Sequence, residues 1–172
     1  MPITPDDKDW TWVLTRRCPE CGFEAASATP STVPGSIESM LPRWRAVLRR
    51  ADVAERPNED TWSALEYASH VRDVFSLFGE RLELMLKVDE ARFENWDQDK
   101  TAVEKDYLNA DPATVSAQLT AEGEQVAEAF AGVREDQWSR RGFRSNGSEF
   151  TVLTLAQYFL HDVVHHLHDV DG

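Results

Sequence analysis

The sequence predicts an all-α protein, a four-helix bundle preceded by an irregular N-terminal arm. Three observations predict it. Four segments carry apolar residues at three- and four-residue steps, the period of one helix face. Two-residue alternation, the mark of a half-buried strand, is confined to one brief stretch before the last segment. Two of the connections between the segments are long, a pattern that bundles accommodate. With 172 residues, 41% hydrophobic and 28% charged, the chain has an ordinary globular composition and enough length for one core.

Residues 1–33 form the arm. They are rich in Pro, Thr and Ser, carry Trp10, Trp12 and Cys18-Pro-Glu-Cys21, and show no long apolar period. Loop or short extended pieces are expected there, with Trp10, Trp12 and Phe23 packing over bundle grooves. Residues 34–172 are the bundle. Its first helix is expected from Gly35 to Ala51, on the stripe Ile37, Met40, Leu41, Trp44, Val47 and Leu48. Pro42 removes one backbone donor there and is expected to kink it. Arg56-Pro-Asn-Glu-Asp60 is a loop able to cap the second helix, expected from Thr61 or Trp62 to Glu90. Leu65, Ala68, Val71, Phe75, Phe78, Leu82, Met85 and Leu86 form its stripe. Residues 91–110 read as a long connection with one short helix. Asp111-Pro112 starts a third helix, Pro112 to Val133, because proline suits the first turn. In residues 134–150, Asn146-Gly147 between arms holding Phe143 and Phe150 signals a short hairpin. Thr151 or Ser148 then caps the last helix, Val152 to Asp169.

The net charge of −13 argues against nucleic acid as a partner, since binding needs a basic patch to displace counterions. The densest basic cluster, Arg43-Trp-Arg45 to Arg49-Arg50, reads as a solvated helix face. No stretch approaches the length of a membrane span, and the first residues hold no signal-peptide core. A cytoplasmic protein without a membrane partner is therefore expected, its cysteines reduced or metal-bound rather than joined in a disulfide.

Four of the five histidines fall in the last helix, at His161, His165, His166 and His168. His161 and His165 leave one face a turn apart, about 6 Å in rise, so both can reach one ion. His168 shares that face, and His165 with His168 is the alternative pair. His166 points about 100° away and is expected outside the ligand set. His70 lies on the second helix, with Glu66 and Asp73 a turn away as candidate orienting partners. Two histidines from one helix and one from another leave positions open on the ion, as in catalytic sites. The bland alternative is a set of packed or exposed imidazoles without metal.

The run Leu65-Glu-Tyr-Ala-Ser-His70-Val-Arg-Asp-Val-Phe in a long second helix, followed by His161-x-x-x-His165 in the last, resembles the DinB/YfiT-like superfamily of metal-binding four-helix bundles. The resemblance covers about residues 35–170. It implies that His70, His161 and His165 hold a divalent ion, Zn²⁺ first, then Ni²⁺, Fe²⁺ or Mn²⁺. Thiol-dependent enzymes belong to the superfamily, among them mycothiol-dependent maleylpyruvate isomerase and bacillithiol transferase. A low-molecular-weight thiol cofactor, a small-molecule substrate and thiol transfer or isomerisation are thus implied, with metal-assisted hydrolysis next. A homodimer built through the bundle is also consistent with the superfamily. The alternative is a non-catalytic, metal-stabilised binding or stress-response module.

Cys18 and Cys21 lie outside the part that carries the resemblance. The spacing suits half of a zinc knuckle that His166 or His168 completes, giving an auxiliary metal set of Cys18, Cys21 and His168. A redox pair and an ordinary turn are the other readings. In a sharper variant the two thiolates enter the three-histidine site itself and close it. Trp96 and Asp97, in the long connection, are candidates for a pocket mouth.

Overall fold

The computed structural model describes Ile3 and residues 8–172. The reading of Met1, Pro2 and Thr4–Asp7 as the start of the arm falls outside these. Four long helices form the bundle: α1 (Val33–Val47), α2 (Ala64–Lys87), α4 (Pro112–Ala131) and α5 (Val152–Asp169). A short α3 (Gln98–Glu104) lies in the connection after α2. The strands β1 (Ala91–Phe93), β2 (Arg141–Arg144) and β3 (Glu149–Thr151) form a small sheet in that order. Helix α1 buries Ile37, Met40, Leu41, Trp44 and Val47 of its predicted stripe, and α2 buries its own except the half-buried Leu86; Trp44, Phe75, Leu82, Leu119, Phe130 and Phe159 are fully enclosed.

Local chemistry sets most helix starts. Ser63 caps α2 in a reciprocal box: its Oγ accepts from the Glu66 N–H at 3.2 Å, and Glu66 Oε2 accepts from the Ser63 N–H at 2.9 Å. Asp111 caps α4 ahead of Pro112, its Oδ2 accepting from the Thr114 N–H at 2.8 Å. Thr151 caps α5 in the same way through the Thr154 N–H at 3.1 Å. Helix α1 runs through Pro42, which sits on its exposed side, so the missing donor is not a buried loss.

Gly123 on α4 marks a close approach within the bundle. A Cβ there would lie 2.3 Å from Leu41 Cδ2 and 3.1 Å from Phe75 Cε2. The bare backbone lets α1, α2 and α4 close on one another.

Two features depart from the sequence reading. Arg43 and Arg50 do not merely face solvent. Arg43 donates to the Gly172 carbonyl at 2.5 Å, and Arg50 donates to the carbonyls of Val170 and Asp171 at 2.5 and 2.7 Å. Both cations thereby satisfy carbonyls left over at the end of α5. The predicted hairpin is present as β2 and β3, but β1 joins it in parallel, Ala91 opposite Gly142. The hairpin turn uses three residues, Ser145–Gly147, and only Gly147 takes a positive φ, 93°.

The arm is not extended. It makes 3-10 turns at Thr11–Leu14 and Ala25–Ser27 and lies along α5. Among the described residues no helix is long and apolar enough to cross a membrane.

Candidate metal centres

The five histidines do not converge on one point. His70, on α2, groups with Asp162 and His166; His161 and His165 group with Cys18 and Cys21. Within each group the donor atoms all lie within 4.8 Å of one another. The expected triad of His70, His161 and His165 is thus divided between two clusters. The reason is rotational. Positions 161 and 165 leave α5 about 100° away from 162 and 166. The helix is turned so that the second pair faces α2 and the first faces the arm.

In the first cluster, His70 Nε2 lies 3.2 Å from Asp162 Oδ1, and His166 Nε2 lies 3.6 Å from the same oxygen. His166 Nδ1 is held by Asp169 Oδ2 at 2.9 Å. With the proton on Nδ1, His166 donates to Asp169 and turns its Nε2 lone pair toward Asp162. Burial works against the Asp162 charge, but His70 and His166 beside it outweigh burial and hold its carboxyl well below the usual range. His70 is wholly buried between two indoles, stacked on Trp96 at 5.3 Å and tilted against Trp62 at 5.6 Å. Its Nδ1 has no hydrogen-bond partner. Asp162, His166, Trp62 and Trp96 line a cavity of about 520 Å³, as does Asp97, in keeping with the expected pocket mouth. Two histidines and a carboxylate fit a divalent transition metal with positions left over.

The second cluster is built from the arm. Gly22 takes φ +77°, donates its N–H to the Cys18 carbonyl at 2.9 Å, and lets Cys18-Pro-Glu-Cys21 turn back on itself. Cys18 Sγ comes to 3.7 Å from His165 Nδ1. His165 Nε2 lies 3.1 Å from Glu20 Oε2, inside the same turn. Cys18, His161 and His165 are 1%, 4% and 8% exposed. Burial, helped by the neighbouring His165, pushes the His161 imidazole down to about 4; burial also lowers His165. Burial pushes the Cys21 thiol up to about 11. His168 is exposed and belongs to neither group among the described residues, so the auxiliary set of Cys18, Cys21 and His168 is replaced by one that ends in His161 and His165.

Glu66 and Asp73 do not orient His70. Glu66 is taken up by Arg56, with Nε to Oε2 at 2.9 Å, and by the α2 cap. Asp73 accepts from Tyr107, from Arg72 at 2.9 Å and from Lys105 at 3.0 Å. Sequence reasoning missed Asp162 and His166, although Asp162-x-x-x-His166 has the same one-turn spacing as the pair that drew attention. It also missed Glu20 and Asp169 as orienting carboxylates.

A family model of the DinB superfamily matches residues 40–170. The fold is similar to that of YfiT from Bacillus subtilis, described as "a probable metal-dependent hydrolase with an unusual four-helix bundle topology". The two share 16% identity over 81% of this chain and 82% of that one, with a TM-score of 0.72. No curated protein sequence matches the chain.

Proposed function

The chain belongs to the DinB superfamily, and from that premise we propose that it is a metal-dependent enzyme activating a low-molecular-weight thiol, or water, against a small anionic substrate. The open cluster carries this reading. Asp162 and His166 line the cavity, and His70 lies behind them with its donor atom in the same group. Zn²⁺ is the first choice of ion, with Ni²⁺, Fe²⁺ or Mn²⁺ as the others. When bound, such an ion supplies Lewis-acid chemistry and makes a nucleophile available at neutral pH. Thiol transfer or isomerisation is the leading reaction class; hydrolysis, the class named for YfiT, is the next.

The residues around the cluster do the rest. Asp169 fixes the His166 ring. Trp62 and Trp96 shield His70 from water and give the cavity apolar walls. Arg81 and Arg144 line the same cavity. Arg81 is 5% exposed, and burial, reinforced by Arg144, lowers its guanidinium to about 10. Its hydrogen bond goes to the Glu94 carbonyl at 2.9 Å, and Arg144 is held by Asn146, Ser148 and the Tyr158 hydroxyl. Neither forms an ion pair with a carboxylate among the described residues, although Arg144 lies near enough to Asp9 on the cavity wall to help lower its carboxyl. In a chain of net charge −13, two such cations facing a cavity support a substrate bearing a carboxylate or similar anion. Tyr158 lies one turn before Asp162 on α5, so Arg144 sits near the cluster.

A non-catalytic, metal-stabilised module is the second reading. The arm's cluster favours it, because four protein donors leave no position for substrate.

The test is turnover by protein reconstituted with each of the four ions. A chromogenic ester reports hydrolysis, and a thiol-reactive electrophile with a low-molecular-weight thiol reports transfer. Activity that disappears with its ion in Asp162→Asn supports the enzyme; bound metal at the open cluster without either activity leaves the module. Arg144→Ala should raise KM about tenfold for an acidic substrate while kcat holds, the signature of lost substrate binding.

A further inference from the structure

We propose that Cys18, Cys21, His161 and His165 form a closed tetrahedral zinc site that fastens the arm to α5, distinct from the open cluster. The two proposals stand on different residues.

Four donors of the right kind meet there. Two thiols and two imidazoles are the set that zinc holds in structural sites, and thiolates select against Mg²⁺, Ca²⁺ and Mn²⁺. The separations fit. Zn–S near 2.3 Å and Zn–N near 2.0–2.1 Å at a tetrahedral angle put sulfur and nitrogen about 3.6 Å apart. Cys18 Sγ and His165 Nδ1 lie 3.7 Å apart, and all four donor atoms lie within 4.8 Å. Both cysteines are free thiols.

His161 Nε2 is buried with no hydrogen-bond partner, a costly arrangement that a bond to an ion removes. The other nitrogen of His165 meets Glu20 at 3.1 Å, the carboxylate–histidine pairing that orients a metal ligand. Trp10 covers both rings, 5.6 Å from His161 and 5.1 Å from His165, and Phe23 closes on His161 at 5.7 Å. Both imidazoles also border the cavity, but the four protein donors fill the tetrahedron. Binding displaces one proton from each thiol, so two thiolates balance the charge of the dication.

The site also shapes the cavity. Trp10 lines it, and the arm that carries Trp10 is held to α5 at this point. Loss of the ion should therefore loosen one wall of the cavity without touching the open cluster's own donors.

The experiment uses the full chain, stripped of metal and reconstituted with Co²⁺ alone. Wild type should give a thiolate-to-cobalt charge-transfer band and the intense visible bands of a tetrahedral ion, which Zn²⁺ then abolishes. Cys18→Ser, Cys21→Ser and His161→Ala should each lose the charge-transfer band. His70→Ala and Asp162→Asn should keep it at full intensity. The proposal is overturned if wild type shows no such band, if the band depends on His70, or if freshly isolated protein holds Cys18 and Cys21 in a disulfide. An unchanged metal count in His70→Ala would count against the enzyme reading alone. Should the cysteine variants fail to fold, a thiol reagent on wild type decides. Both thiols must be protected in the zinc form and react after chelation; equal reactivity in the two forms rejects the site.

Discussion

One helix carries two donor pairs of identical spacing and opposite fate. Residues 161 and 165 face the arm and meet two thiols under a tryptophan; residues 162 and 166 face α2 and meet one histidine, and both pairs border the cavity. The parallel runs further, since each pair has a carboxylate that orients its second histidine, Glu20 for His165 and Asp169 for His166. What separates them is the number of donors supplied from outside α5. Two thiols complete a tetrahedron, and a single imidazole leaves it open. The spacing on a helix therefore says that an ion can be held, and the opposing element says what the ion can do.

The largest predicted effect breaks the pair on one side only. Asp162→Asn should cut activity of the metal-loaded protein more than about 100-fold, a ligand weighing at least as much as its orienting partners. The cobalt–thiolate band should persist in the same sample. Next comes metal removal. Chelation should lower the melting temperature of wild type by about 10 °C, on the expectation that a structural ion contributes folding energy outright. Calorimetry on Cys18→Ser should show most of that drop already present and little further response to chelator. A control sharpens the contrast by damaging neither cluster. Gly123→Val should destabilise the bundle by about 3 kcal/mol in denaturant melts, because Leu41 and Phe75 must give way. Its cobalt spectrum should match that of wild type.

The smallest effect concerns acid. Burial alone would raise the Glu66 carboxyl, but Arg56 and the Ser63 cap outweigh it and hold it below its usual value. A carboxyl depressed in the folded state adds stability above its unfolded value of 4.5, and that stability is lost as pH falls through the folded value. Arg56→Ala should cost about 2 kcal/mol at neutral pH. Measured on metal-free protein, the loss should shrink as pH falls through the depressed folded-state value of Glu66, below which the carboxyl is protonated in both states.

The bundle was legible because apolar stripes and caps are local. The last helix was read with its bounds, and Asp111-Pro112 marked the start of α4. The first helix was read four residues too long at its end, since Leu48 is buried just past the last turn and continues the stripe. Strand β1 escaped because three residues make no pattern, and its partner β2 is distant in sequence. For the site, spacing on α5 was legible but the rotation of α5 against α2 was not. A turn of about 100° decides whether His70 meets residue 161 or residue 162, and nothing local to either helix records it. The arm's path was equally hidden. The cysteine pair announced a ligand, but only the fold brought it to His165.

Cys18 and His165 are separated by 147 positions in the chain. At roughly 5–20 residues per second, a ribosome exposes the two thiols for about seven to thirty seconds before it makes the histidines that complete their set. During that interval the nascent chain holds half a chelate. Capture of the ion thus belongs to the end of biosynthesis, and an arm locked in place marks a polypeptide whose last helix has been made and docked.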